Sequence, residues 1–406
     1  MSTSESPNLN RVLTADTCSG CGLCAGMFSD KIAMTETDAG YLRPVLHARL
    51  SAEEEAIFAE TCPGSLVDQD GTDGESHVLW GPTVSVHTGH ATDQALRYNG
   101  SSGGVLSAVA VHLLSTGSVD GVVQVQASVE SPTRNITTLN TTAEAVFNAA
   151  GSRYAPSAPL SEIEKLLSQS GRFAFIGKPC DVAALRALQR RDKRARERFP
   201  YVLSFFCAGI PSTRGAKRVL QALGLEEAEV EAFRYRGEGW PGTVSARTKD
   251  GRVARMGYTE SWGGILSKHV QFRCKICPDG SGGMADLVCA DAWTCDEQGY
   301  PLFEEQDGRS LVIARTVQGQ ALLDSCLELG AIKLEPLDIE EIARFQPSQA
   351  RRKKELLARM LAMPFVGRRP PTYSGFNIVE AARSENPVVL TKAFFRTLRG
   401  LIRPRQ

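Results

Sequence analysis

The chain has 406 residues, enough for one large domain or two to three smaller ones with a sizeable core. At 42% hydrophobic and 23% charged it reads as ordinary soluble globular material, and 46 basic residues against 46 acidic ones exclude a global field that would draw it to nucleic acid. Eleven cysteines, a polar start without an apolar signal core and no apolar run that spans a bilayer point to a cytoplasmic chain whose thiols serve metal ligation or redox chemistry, not to a disulfide-laced exported one.

Residues 1–75 form the first expected unit. RVLTADTCSGCGLCAGMF places Cys18, Cys21 and Cys24 in a C-x-x-C-x-x-C run with Gly20 and Gly22 between them. Three thiolates at that spacing wrap the chain around three corners of a cubane, and small residues let backbone N–H groups point at the sulfurs. The next Cys-Pro, Cys62–Pro63, follows a strand-like stretch Tyr41–Leu46 and a helical stretch Ser51–Glu60. A distant fourth ligand suits a single 4Fe–4S cluster with its own closing cysteine; zinc and purely structural cysteines are the alternatives. Residues 65–82, rich in Gly, Asp and Ser, read as a linker.

The second expected unit, 76–340, alternates strand and helix. TVSVHTGHA is a strand, and NGSSGGVLSAVAVHLL a Gly/Ser turn opening a helix over Val105–Leu114. Ser101, Ser102, Gly103 and Gly104 offer N–H groups at a helix start, which suits a phosphate or serves as an ordinary cap. VDGVVQVQ, RFAFIGKPC and YVLSFFC are strands; Thr142–Ala150, Ser161–Ser168, Asp181–Arg198 and Thr213–Leu223 are helices. Such alternation predicts a parallel sheet with helices on its faces, with Cys180 and Cys207 at strand ends where open α/β sheets place ligands. The alternative for both is a buried structural thiol. The basic stretch Arg190–Arg198 is a solvated face or a patch for an acidic partner.

The organising stretch is FRCKICPDGSGGMADLVCADAW. Cys274 and Cys277 form a C-x-x-C turn that aims two thiolates at one point, half of a second site that Cys180 and Cys207 complete. Cys289 ranks behind them as a ligand because the C-x-x-C turn is more compact, while Cys295 and Cys326 read as structural. RSLVIART is a strand, Gly319–Leu329 a helix, and 341–406 a helical basic C-terminal extension whose tail, KAFFRTLRGLIRPRQ, reads as a loosely docked terminus.

NGSSGGVLSAVA, AAGSRYAPS, GKPCDVAALR, FFCAGIPS and CKICPDGSGGMADLVCADAW, followed by GRSLVIART, resemble in order the coenzyme F420 hydrogenase/dehydrogenase beta-subunit family, from about Trp80 to Leu334. The resemblance implies an α/β fold with a mixed or parallel flavin- and cluster-binding sheet, preceded by a small ferredoxin-like 4Fe–4S segment. It implies FAD beside a 4Fe–4S cluster on Cys180, Cys207, Cys274 and Cys277. The flavin is expected around Ser101, Ser102, Gly103, Gly104, Gly151, Ser152, Arg153, Tyr154 and Lys178, with Asp291 on a cofactor hydroxyl or capping a turn. Arg153 and Lys178 are the candidates for stabilising a reduced flavin or acidic substrate. Asp181 departs from the family's common Gln, and the family's hydrogenase subunits lack the first cluster.

The expected activity is an oxidoreductase passing electrons from a ferredoxin-like carrier through the Cys18/Cys21/Cys24/Cys62 cluster, the second cluster and FAD to a two-electron acceptor. An electron-transfer subunit within a larger complex and a non-catalytic zinc-stabilised scaffold are the competing readings, and a homo-oligomer or a partner subunit is the expected assembly.

Overall fold

A computed structural model of the chain describes residues 6–69, 75–296, 302 and 304–402. Its centre is an eight-stranded sheet. From edge to edge the strands are Ile332–Pro336, Ser85–Ala91, Ser310–Ala314, Leu287–Asp291, Tyr201–Phe205, Phe173–Gly177, Gly121–Ala127 and Asn135–Asn140. The inner run from Leu287–Asp291 to Gly121–Ala127 is parallel, and the flanking pairs are antiparallel. Alternation alone predicts only the parallel part. Gly121–Ala127 and Asn135–Asn140 are joined without a helical crossover and so pair antiparallel.

Helices cover both faces. On one, Val105–Ser115 and Val317–Glu328 pack Val109, Leu113 and Leu323 against Val122, Leu203 and Val312. On the other, Pro179–Arg191 buries Val182, Leu185 and Leu188 with Phe175 and Phe199. Continuous apolar strands such as Phe173–Gly177, buried at every position, follow from this double cover. A three-stranded antiparallel sheet over Val230–Gly257 has its own small core around Tyr235 and Val244; its second turn falls at Lys249–Gly251.

Two predicted helices start or end elsewhere. Cys180 does not end a strand: the strand stops at Gly177, and Pro179 at the first helical position starts the helix Pro179–Arg191, putting Cys180 in its first turn. That helix stops at Asp192, whose side chain accepts from the Arg194 N–H at 2.8 Å and caps a separate short helix, Lys193–Arg198. The expected linker 65–82 includes the short strands Leu66–Asp68 and Gly81–Thr83, while its 70–74 centre lies outside the described residues.

The C-terminal extension is anchored. Thr372–Ser374 pairs in parallel with Leu66–Asp68, and the helix Pro347–Leu361 buries Lys353, Glu355 and Leu356. The tail forms a helix, Pro387–Ile402, tied down through Arg396 to Glu355 at 2.7 Å. No helix among the described residues is long and apolar enough to cross a membrane.

Candidate functional site

The first four cysteines come together. Cys18, Cys21, Cys24 and Cys62 line one small closed cavity with Leu9, Val12, Met34 and Phe58. Gly20 and Gly22 both take positive φ, which lets the loop turn around the thiols. Backbone N–H groups of Gly20, Leu23, Ala25, Gly64 and Ser65 point at the sulfurs. Burial pushes all four thiols up, and Cys24 also feels Cys21, Cys62 and Cys18 as neighbours.

Cys180, Cys207, Cys274 and Cys277 line a second small cavity with Ser19, Gln271, Arg273 and Arg352. They arrive from the Pro179–Arg191 helix start, the end of strand Tyr201–Phe205, and a one-turn helix, Phe272–Lys275. The Ile210 N–H donates to Cys274 Sγ at 3.3 Å. Gly209 has φ +124°, and a Cβ there would lie 2.5 Å from Val270, so this close crossing demands glycine.

The four-thiol rings test which group they suit. Four thiols lining one small cavity, with backbone N–H groups aimed at the sulfurs, suit an iron–sulfur cubane. Charge agrees. Arg273 is 2% exposed, its Nε and Nη1 have no hydrogen-bond partner, and no carboxylate pairs with it among the described residues. Burial works against its charge, while Tyr373 and the thiols of Cys277, Cys180 and Cys274 beside it hold its guanidinium above its ordinary range. A bare buried guanidinium costs several kcal/mol. Ionised thiolates on an iron–sulfur cluster would supply the missing negative charge.

A cavity of about 280 Å3 opens at the C-terminal end of the parallel strands, on the other side of Cys207. It collects nearly every cofactor residue singled out in the sequence. Ser101, Ser102, Gly104, Gly151, Ser152, Arg153, Tyr154, Lys178 and Asp291 all line it. Gly103 lies just behind, its N–H donating to Ser310 Oγ at 2.9 Å. Gly104 caps the helix Val105–Ser115 at φ +74°, where a Cβ would meet the Leu96 carbonyl at 2.7 Å. Ser102 Oγ donates to the Ala290 and Arg309 carbonyls, and Ser101 Oγ to that of Arg236, so these hydroxyls brace the loop.

Arg153 spends its donors on the backbone. It reaches Asn135 Oδ1 and the carbonyls of Phe233, Pro132 and Arg134, all at 2.7–2.9 Å. Lys178 is 4% exposed, with Nζ 2.7 Å from Asp181 and 2.8 Å from Ser157 Oγ. Burial lowers it, but Asp181, Cys180 and Cys207 hold it above its ordinary range, so it stays a cation between the second quartet and the cavity. Asp181 is the counter-ion.

Asp291 takes a role that spacing alone does not suggest. Its carboxylate accepts both Arg236 Nη groups at 2.8 Å and Trp240 Nε1 at 2.9 Å. Arg236, 3% exposed, sits 4.7 Å from the Tyr258 ring centre and 4.9 Å from that of Trp293. Trp293 stacks on Trp240 at 4.8 Å, and Tyr154 lies 4.8 Å from Trp262. The result is a wall of flat, polarisable groups with a fixed cation. Gln124 completes it: a buried lining residue whose Nε2 has no partner. These residues carry no motif, and only their arrangement reveals them.

Cys289 lines this same cavity and packs in the core with Cys326; it is not among the second four. Cys295 lies outside both quartets, its thiol against the Trp293 and Arg344 carbonyls. The basic stretch Arg190–Arg198 is neutralised locally, by Arg191–Glu60, Arg194–Glu164 and Lys193–Glu197 pairs.

The two quartets touch. Gln271 Nε2 donates to the Ser19 carbonyl at 3.3 Å and lies 3.5 Å from Cys274 Sγ, while Arg273 donates to the Pro63 carbonyl at 3.0 Å. Cys207, Gly209 and Ile210 line both the second quartet's cavity and the larger one.

Comparison with known proteins gives a consistent relation. Two parts of the family described as "Coenzyme F420 hydrogenase/dehydrogenase, beta subunit" match in order, its N-terminal part at residues 86–164 and its C-terminal part at residues 170–340. The coenzyme F420 hydrogenase subunit beta of Methanococcus voltae is 26% identical over 253 residues, covering 61% of this chain and 82% of that protein. The coenzyme F420-dependent sulfite reductase of Methanocaldococcus jannaschii is 25% identical over 275 residues, covering 63% of this chain and 39% of that protein. Among solved structures, a chain of the F420-reducing [NiFe] hydrogenase complex from Methanosarcina barkeri superposes with a TM-score of 0.56 at 19% identity, covering 73% of this chain and 98% of that one, a likeness of fold.

Proposed function

The chain belongs to the coenzyme F420 hydrogenase/dehydrogenase beta-subunit family of oxidoreductases, and we propose that it is an iron–sulfur flavoprotein joining a one-electron carrier of the ferredoxin type to a two-electron acceptor. Cys18, Cys21, Cys24 and Cys62 would hold one 4Fe–4S cluster, and Cys180, Cys207, Cys274 and Cys277 the other. FAD would occupy the cavity between Ser101–Gly104, Gly151–Tyr154 and the Arg236 wall. When bound, the clusters pass single electrons and the flavin exchanges electron pairs, chemistry that no side chain provides.

The chain's own residues supply position and charge. Lys178, held by Asp181 and Ser157, keeps a buried positive charge between quartet and cavity. Arg236, fixed by Asp291 and two rings, sets a second cation in the cavity wall. Gln124 offers an unpartnered amide donor, and Trp293 and Tyr258 give flat faces against which a ring system stacks. The helix start at Val105 turns N–H groups toward the cavity, which suits a pyrophosphate.

The observation carrying this reading is the shared Cys207–Ile210 wall, one turn of backbone between a four-thiol ring and a cofactor-sized cavity. Anaerobic preparations should contain about eight irons and eight acid-labile sulfides per chain, with flavin. Zinc without sulfide would refute the cluster assignment, and about four irons would leave one quartet wrongly assigned. Work as an electron-transfer subunit, with the substrate handled by a partner, is favoured over independent catalysis by relatives that are themselves named as subunits. A cytoplasmic location fits reduced thiols.

A further inference from the structure

A third hollow lies beside the second quartet. It is a cleft of about 1490 Å3 between the helix Thr213–Ala222, the helical turns over Thr259–His269, and the C-terminal helices Pro347–Leu361 and Pro387–Ile402. Arg214, Lys217, Arg218, Lys268, Arg351 and Arg352 stand on its walls, and Asp38 is the one acidic lining residue among those described. Arg214, Lys268 and Arg351 are exposed and make no ion pair among the described residues. Lys217 reaches Glu227 only at 3.7 Å. The contrast with Arg190–Arg198, where Glu60, Glu164, Asp192 and Glu197 answer the charge, is plain.

The inner wall of the cleft is formed by Cys274, Ala208 and Gln349. Ala208 follows Cys207, and Gln349 Nε2 donates to the Cys207 carbonyl at 3.1 Å. A centre held by the second quartet would thus lie directly behind this basic surface. Two of those six basic residues, Arg351 and Arg352, lie after 340, beyond the part of the chain that matches the family description.

We propose that this cleft docks an acidic electron-carrier protein and receives its electron at the centre held by Cys180, Cys207, Cys274 and Cys277. The redox part of this proposal rests on the iron–sulfur reading above. Each docking oxidises one carrier by one electron and reduces the chain by one; no bond forms and no proton moves. This puts the carrier at the second quartet instead of the first, where the order of the cysteines along the chain would place it. The charges are spread over several elements and do not converge on one point, as a small anion would need. A concave surface also cannot lie flat on a bilayer. Such spread positive charge steers a protein of opposite sign and sets its orientation.

The test uses the full chain with its cofactors and an acidic plant-type [2Fe–2S] ferredoxin as probe. Binding by calorimetry should weaken steeply with salt. The triple substitution Arg214→Glu, Lys268→Glu, Arg351→Glu should weaken it on the order of tenfold or more, with iron and flavin contents unchanged. Arg190→Glu with Lys193→Glu, on two helices that do not line the cleft, should leave it as it was. Carbodiimide cross-links from the probe should fall on Lys217, Lys268 or Lys275. Undiminished binding by the triple variant, an equal loss in the Arg190 and Lys193 control, or cross-links confined to Lys31, Lys165 and Lys193 would each overturn the proposal. Co-sedimentation with phosphatidylserine vesicles that the triple variant abolishes, without ferredoxin binding, would assign the surface to a membrane and overturn it too. A chain that binds through the cleft yet holds no iron, sulfide or flavin would refute the functional reading while leaving the docking surface standing.

Discussion

Asp291→Ala separates two roles for one carboxylate. If Asp291 holds Arg236, its loss strands a guanidinium that is 3% exposed. Removing one partner of such a buried pair costs about 3–5 kcal/mol. The stacking of Arg236 between Tyr258 and Trp293 survives and offsets part of this at ~0.5–2 kcal/mol, while the orphaned Trp240 N–H adds about 1–3 kcal/mol. A net loss of about 5 kcal/mol is expected, which for a chain this long, with an unfolding entropy of ~0.85 kcal/mol/K, lowers the melting midpoint by roughly 6 °C. The assay is thermal unfolding by circular dichroism on protein stripped of flavin, with flavin retention measured separately by fluorescence. Asp291→Asn, which keeps an acceptor for Trp240, should fall between the two. If Asp291→Ala loses flavin while the melting point of the stripped protein stays within a degree of the parent's, the carboxylate serves the cofactor directly and the support role fails.

The remaining expectations are quick to check. Cys277→Ser should lower iron by about half on the two-cubane count and loosen the flavin, whereas Cys289→Ser and Cys326→Ser should keep the full iron content; loss of iron in Cys289→Ser with retention in Cys277→Ser reverses the assignment. Cys21→Ser should also remove about half the iron but leave flavin bound, and expulsion of the flavin would contradict it. Burial holds His112 and His87 below the ordinary histidine range. The folded state therefore favours their neutral forms, so this stability is whole above the unfolded-state value of ~6.5 and fades as pH falls through the lower folded-state value. His112→Gln should flatten the stability curve below about pH 6.5, and an unchanged acid slope would show that this titration contributes nothing.

What the sequence makes legible is what short spacing controls. C-x-x-C-x-x-C, the C-x-x-C turn and the Gly/Ser helix start can be read because neighbours along the chain fix their geometry. Cys180 and Cys207 are legible through strand ends, although Pro179 moves Cys180 into a helix. The Arg236–Asp291 pair is not legible, since its members lie 55 residues apart and meet only when the small sheet docks against the strand Leu287–Asp291. Gln124 looks like any polar residue of an alternating strand until its amide is seen without a partner. Arg153 carries the charge expected of a substrate contact, but crowding by four acceptors makes it a loop brace. The basic cleft escapes a charge count altogether, because the chain's net charge is zero and segments more than a hundred residues apart share it.

The cofactor residues resemble modules along the chain but not in space. The Cys18–Cys24 loop packs on the core through the Leu160 N–H to the Cys21 carbonyl, Gln271 to Ser19, and Arg273 to Pro63. Gly26 sits so close to the Leu160 carbonyl that a Cβ would approach to 2.2 Å, which leaves that loop no slack against the core. Yet the first quartet's cavity shares no lining residue with the cavity at Arg236, whereas the second shares Cys207, Gly209 and Ile210 with it. The Gln271 and Arg273 contacts give disturbance at the first quartet one route to the cofactor cavity, by way of the second. Those contacts consist of one amide and one guanidinium on backbone carbonyls, each worth about 0.5–3 kcal/mol. That is enough to hold two centres in register. It is small beside the buried strands and helices that fix the cavity itself, and of the two quartets the second is the one whose lining is shared with that cavity.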